Sequence, residues 1–181
     1  MNLTPLGIEG AWLAESPVWS DQRGNFKEWF KHEEIFSNTG MDFSVKQANF
    51  SVNKKGVIRG IHYSLNPDGQ SKWITCVAGS IVDVIVDIRP NSPTFKKIEY
   101  VTLTGQENRS VLVGKGLGHG FVSLEDETLV AYMLNAPYAP EIEFAIHPFD
   151  KTLQINWGIT ELIATLSTQD QNAATFENRV I

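Results

Sequence analysis

Cysteine is nearly missing: the 181 residues hold one, Cys76. A lone thiol has no internal partner, so a disulfide framework is excluded. Long apolar runs are missing too. None approaches the roughly 20 residues that a membrane helix needs. The N-terminus, MNLTPLGIEG, has no basic stretch followed by an apolar one, so no signal peptide is read there. Positive charge is scarce: 15 Lys and Arg stand against 21 Asp and Glu, a formal net charge of −6. A general nucleic-acid binder needs a basic face to displace counterions from phosphate, and this balance disfavours one. It leaves room for a small anion held by a few local cations. No repeat, low-complexity stretch or Gly/Ser linker divides the chain. There is no P-loop and no dinucleotide fingerprint, although Gly114, Gly116 and Gly118 alternate. The histidines form no His-x-His pair and Cys76 has no partner cysteine, so we read no metal site.

What is present is an ordinary globular mixture, 42% hydrophobic and 20% charged. At this length one core suffices. The length allows one large domain or two small ones, and these features together predict a soluble, cytoplasmic protein. The texture is that of short β-type runs broken by turn residues: VIRGIHY (57–63), KWITCVAG (72–79), SIVDVIVDIRP (80–90), KKIEYVTL (96–103), SVLVGKG (110–116), GHGFVSL (118–124) and TLVAYML (128–134). In IVDVIVDI, Val82, Val84 and Val86 fall on one face and Asp83, Ile85 and Asp87 on the other. A parallel sheet needs crossovers of a dozen or more residues, and most gaps here are too short. The prediction is all-β, an antiparallel sandwich or barrel. Two segments have helix-like spacing. FKEWFKHEEIFSNTG (26–40) closes on Gly40, and its first part reads equally as a strand. ITELIATLS (159–167) places Leu162, Ile163 and Leu166 at helical intervals.

Several polar residues stand in apolar surroundings. Arg59 and His62 lie in a run that otherwise reads as a core strand, and a guanidinium there needs an anionic partner, protein or ligand. A salt bridge and a satisfied core histidine explain them equally well. A period of two puts them on opposite faces. One site shared by both requires an irregular strand, and Gly60 is where a bulge costs least. Lys72 stands at a strand entrance, where an ammonium is ordinarily solvated. His119 lies in GKGLGHGF, where dense glycine implies close backbone approach. Tyr132 shares its strand face with Val130 and Leu134, as a packed core tyrosine would. Tyr138 and Glu143 flank Pro140 in a loop, and Asp170 by itself is a solvated tail residue.

Taken together, RGIHYS, IVDVIVDIRPNSPTF, GKGLGHGF and YMLNAPYAPEIE followed by NW resemble the dTDP-4-dehydrorhamnose 3,5-epimerase family. The likeness runs from DQRGNFKEWF (21–30) to LSTQD (166–170). It implies a cupin-type antiparallel jelly roll with a few short helices, one domain over 1–181. The N-terminal strands, about 1–50, would be exchanged in a homodimer, and a C-terminal helix or tail would cover about 159–181. The family acts on nucleotide-linked 4-keto-6-deoxyhexoses, inverting C3, C5 or both, without metal or redox cofactor. By the resemblance His62 is the proton acceptor, Asp170 its carboxylate partner and Tyr132 the proton donor on the other face. Lys72 and His119 contact the sugar or its diphosphate, and Arg59 the diphosphate. Arg23, Glu28, Gln47 and Asn49 are nucleotide and phosphate contacts, Tyr138 stacks on the base, and Glu143 is a further binding position. Two features depart from the pattern. Gln169 stands where the family often has Lys or Arg, and EFAIHPFD replaces a more common ERGIRW-type segment. GQSKWITCVAGS resembles the branch that makes unusual deoxysugars for antibiotics or surface polysaccharides.

The chemistry suits the set. A proton α to a ketone is acidic because charge spreads onto the carbonyl oxygen, so an epimerase needs a base on one face and an acid on the other. An imidazole titrates near working pH, and a phenol is protonated at rest. Lys72 offers a counter-charge for the enolate oxygen. Two other functions fit the same fold: a sugar-nucleotide 3,4-ketoisomerase, and a non-catalytic sugar-nucleotide-binding cupin.

Overall fold

A computed structural model describes every residue except residue 66. The seven predicted β runs all form strands, β6 to β12, and six further strands join them: β1 (Asn2–Pro5), β2 (Ala11–Glu15), β3 (Val18–Asp21), β4 (Gly24–Lys27), β5 (Gln47–Asn53), β6 (Ile58–Ser64), β7 (Lys72–Ala78), β8 (Ser80–Val86), β9 (Ile98–Thr104), β10 (Arg109–Val113), β11 (Gly118–Ser123), β12 (Thr128–Leu134) and β13 (Glu143–Ala145) among the described residues. Two sheets result, in the orders β1-β2-β10-β7-β12-β5 and β13-β6-β11-β8-β9, and β3 and β4 pair as a separate hairpin. The named strands pair antiparallel throughout.

The alternation read in β8 sorts its residues between two cores. Ile81 and Ile85 join Phe121, Ile74, Cys76, Val111, Val113 and Val130 in the layer between the sheets. Val82, Val84 and Val86 face the other way and pack under the C-terminal segment with Leu153, Trp157 and Phe176. Each side chain of this size taken fully out of water contributes about 1.5–3 kcal/mol, so both layers hold the five-stranded sheet. The chain passes from β7 in one sheet to β8 in the other through Gly79 alone, at φ +76, with Thr128 packed where a Cβ would sit. Only glycine makes that corner without strain.

The six-stranded sheet is covered by helix α1 (His32–Thr39) and the N-terminal segments, through Ile35, Phe43, Trp73 and Met133. The segment 26–40 divides as its ambiguity allowed: its start belongs to β4 and its end to α1. Phe36 faces water, while Phe30 packs inward. The helix expected over 159–167 does not form. The Thr160 carbonyl closes one turn with the N–H groups of Ile163 and Ala164, and Thr165 then exchanges backbone hydrogen bonds with Gly56 and Ile58. Leu162 and Ile163 are 93% and 66% exposed while Leu166 packs on the core, so the three apolar residues do not share one buried face. A short helix, α2 (Thr168–Gln171), follows instead.

Candidate active site

The site begins with an irregularity in β6. His62 pairs with His119 and Arg59 with Phe121, so three steps along β6 match two along β11. One extra residue is bulged into β6, which reverses the parity and puts Arg59 and His62 on one face. Ile58, Ile61 and Tyr63 fill the core on the other. The bulge sits at Gly60, where the sequence made it cheapest. Its φ is +116, and a Cβ there would lie 2.5 Å from the His119 carbonyl oxygen and 2.6 Å from Gly120 Cα.

His62 Nε2–H donates to Asp170 Oδ1 at 2.7 Å. The imidazole is 38% exposed and the carboxylate 3%. That bond fixes the tautomer and leaves the Nδ1 lone pair as the basic site of the ring. Asp170 is positioned by α2, whose N-cap Ser167 accepts the Asp170 N–H at 3.0 Å. Burial pulls its carboxyl upward, but His62, the Ser167 side chain and the Gly60 N–H hold it below the usual carboxylate range. Asp170 is therefore a resident anion, buried and turned to the imidazole. It is not the solvated tail residue that its local sequence suggests.

Tyr132 comes from the opposite sheet. On β12 it pairs with Asn49 of β5 and Ile74 of β7, and it faces inward with Val130. His62 and Tyr132 nevertheless line one cavity of about 190 Å³. Lys72, Gln47, Asn49, Tyr138 and Glu143 line the same space. Lys72 opens β7; burial pushes its ammonium pKa down, while the carboxylates of Glu143 and Asp83 oppose that shift. Among the described residues it has no carboxylate within 4 Å. Glu143 is pushed up by burial, against the pull of Lys72 and His62, and its buried Oε1 has no hydrogen-bond partner among the described residues.

The remaining expected residues lie off the cavity wall. His119 is buried opposite His62 in the β6/β11 register, bound to Asp83 Oδ2 at 2.8 Å. Arg59 is exposed and reaches across to the other sheet, where Asn53 Oδ1 accepts its Nε–H at 2.8 Å. Asn53 is itself fixed by bonds to Ser51 and to the Thr128 carbonyl. Arg23 and Glu28 are not brought to the cavity. Arg23 is paired with Asp21 of its own turn, and Glu28 with Lys31. Gln70, Leu134 and Phe144, none of them singled out from the sequence, complete the lining together with Gln169. For Gln70 the available signal was its place two residues before Lys72.

An antiparallel jelly roll of two packed sheets, with a His–Asp pair and a tyrosine converging from them, defines a cupin-type protein equipped for proton transfer. The model of the family described as dTDP-4-dehydrorhamnose 3,5-epimerase matches residues 5–178, and the chain belongs to that family. It is 43% identical over 171 residues to a dTDP-4-dehydro-6-deoxyglucose 3-epimerase of Streptomyces sp, covering 94% of this chain and 87% of the relative. It is 39% identical to the dTDP-4-dehydrorhamnose 3,5-epimerase of Mycobacterium tuberculosis, with 98% and 89% covered. Among solved structures, the rmlC epimerase of Mycobacterium tuberculosis superposes with a TM-score of 0.94 at 39% identity, over 98% of this chain and 90% of that one. ChmJ, a 3′-monoepimerase from Streptomyces bikiniensis in complex with dTDP-quinovose, superposes at 0.91 with 42% identity, over 96% and 87%. The motifs pointed more to the unusual-deoxysugar branch than to the rhamnose enzymes, and relatives of both kinds match.

Proposed function

We propose that this protein epimerises C3 of a dTDP-linked 4-keto-6-deoxyhexose in deoxysugar biosynthesis, and that C5 is inverted by the same groups when the ring turns in the site. The observation that carries this reading is the convergence of His62 and Tyr132 on one cavity from opposing sheets. His62 Nδ1 takes the proton from the carbon beside the ketone, and the C–H electron pair moves into the enolate with its charge on oxygen. Asp170 stabilises the imidazolium so formed. Lys72, the cation on the cavity wall with no carboxylate within 4 Å among the described residues, faces the enolate oxygen. Tyr132 gives its hydroxyl proton to the carbon from the other face, and solvent restores both groups. A positioned acid or base contributes about 10²–10⁴-fold, so neither alone suffices. A ketoisomerase would use the same cavity with a different proton relay. A silent binder has no need of a tyrosine opposite a paired histidine.

The nucleotide half of the substrate belongs at the cavity rim, with Tyr138 against the base, Gln47 and Asn49 beside it, and Arg59 on the diphosphate. Glu143 and His119 complete the sugar end. Arg23 and Glu28 come from a second copy in this proposal. Hairpin β3–β4 supports it: a two-stranded ribbon is marginal alone in water, and this one exposes Trp19 and Phe26 as a tilted aromatic pair with centroids 5.8 Å apart. Phe50 and Val52 likewise leave the outer face of edge strand β5 apolar and exposed. Patches of that kind mark association surfaces. β1 pairs with β2, and β2 with β10 of the same chain; the exchange we propose centres on the hairpin. Among the described residues no helix is long and apolar enough to cross a membrane, and a cytoplasmic place is part of the same proposal.

The test is incubation with dTDP-4-keto-6-deoxyglucose, and with its CDP counterpart, in D₂O. Deuterium at C3 with inverted product supports the proposal, and deuterium at C5 as well identifies the double inversion. A product with its ketone at C3 identifies the ketoisomerase, and an unlabelled, unchanged substrate identifies a binder.

A further inference from the structure

Gln70 has no role in the proton transfer, yet it is almost completely buried on the cavity wall. Its backbone N–H donates to Ser64 Oγ at 2.8 Å. Its side-chain nitrogen donates to two carbonyls of another loop, Pro137 at 2.9 Å and Ala136 at 3.3 Å. Carbonyl oxygens only accept, so the amide has one orientation here, with both N–H groups committed. The next residue makes a parallel tie: Ser71 N–H donates to Asn135 Oδ1 at 2.7 Å, and Asn135 N–H returns to the Ser71 carbonyl. From the far side, Gln47 Oε1 accepts the Tyr138 N–H at 3.1 Å.

Tyr138 itself has an exposed ring. Its position over the cavity is therefore set by its backbone, and that backbone is held by Gln70 and Asn135 on one side and Gln47 on the other. We infer that Gln70 is a positioning residue for nucleotide recognition, fixing the 135–138 loop so that Tyr138 presents its ring to the base. This rests on the assignment of Tyr138 to the base in the proposed function. The same residue lies two positions before Lys72, so base capture and the sugar end of the site share one short segment.

The experiment is a double-mutant cycle on dTDP binding, measured by calorimetry with wild type, Gln70→Leu, Tyr138→Ala and the double variant. Inorganic pyrophosphate serves as the control probe. A stacked base contributes about 1–3 kcal/mol, which is about 5–150-fold, so Tyr138→Ala should weaken dTDP at least fivefold. Gln70→Leu should weaken it by about 5–10-fold, and by less than twofold once Tyr138 is gone. Pyrophosphate affinity should stay within twofold in all four. Turnover at saturating sugar nucleotide should fall much less than KM rises. A full Gln70→Leu loss persisting in the Tyr138→Ala background overturns the inference alone, as does an equal loss for pyrophosphate. Undiminished dTDP binding by Tyr138→Ala overturns the base assignment and the inference with it. Should Gln70→Leu not fold, Asn135→Ala removes the neighbouring tie and is read in the same cycle, with additivity again the refuting result.

Discussion

Replacing Asp170 by Asn changes one charge and almost no volume. The carboxylate lies 2.7 Å from His62 Nε2 and is buried, with Ser167 and the Gly60 N–H to hold it ionised. When His62 takes a proton, a cation appears beside this anion. Two unit charges about 4 Å apart attract by about 4 kcal/mol at an effective dielectric of about 20. The imidazole is 38% exposed, and solvent screening on that side removes about half. About 2 kcal/mol of stabilisation for the imidazolium remains, or about 30-fold in the rate of proton abstraction. The assay is wash-in of deuterium from D₂O into the keto sugar, followed by NMR, with dTDP affinity measured separately. Asp170→Asn should slow wash-in by about 30-fold and leave dTDP binding within twofold. A change in wash-in below threefold would refute the reasoning, because the base would then not depend on its buried carboxylate.

Three further outcomes follow from the packing. Asp87 is buried; desolvation pulls its carboxyl up, but Arg89, Ser92 and Thr94 outweigh that and hold it at about 2. An unfolded Asp titrates near 3.9, so this group adds stability above that pH and loses it as pH falls through about 2, in total about 2 kcal/mol. The stability gap between wild type and Asp87→Asn in urea should therefore narrow by about 2 kcal/mol from pH 6 to pH 2; a pH-independent gap contradicts the assignment. Gly60→Ala meets both a positive φ and two backbone atoms within 2.6 Å and should cost at least about 3 kcal/mol. Gly158→Ala, also at positive φ but in open space, should cost only about 1–2 kcal/mol; equal melting-temperature losses would show that the contacts at Gly60 are not limiting. The dimer proposed above should dissociate, and turnover fall, when Trp19 and Phe26 are both changed to Ser; sedimentation that is the same for wild type and this variant removes the hairpin from the interface.

Much of the scaffold was legible because β8 alternates strictly and glycines stand at the turns. The same logic located the bulge at Gly60, since two functional side chains three residues apart on a strand need one extra residue to share a face. Other features depend on partners distant in sequence. Asp83 and His119 are 36 positions apart and Asp170 is 108 from His62; no local pattern announces either pair, and the resemblance alone singled out Asp170. Gln70 and Asn53 act by bracing other groups, and a buried amide looks like any polar residue until the carbonyls it meets are known. The false helix at 159–167 failed because apolar spacing predicts a buried face only where something covers it.

In the proposed reaction His62 and Tyr132 work on opposite faces of one sugar ring. The most direct measurement is deuterium wash-in and product configuration for Tyr132→Phe beside His62→Ala, under saturating sugar nucleotide in D₂O. His62→Ala should give no wash-in, and Tyr132→Phe wash-in with retained configuration. Inverted product from Tyr132→Phe at the wild-type rate, or undiminished wash-in by His62→Ala, would contradict it.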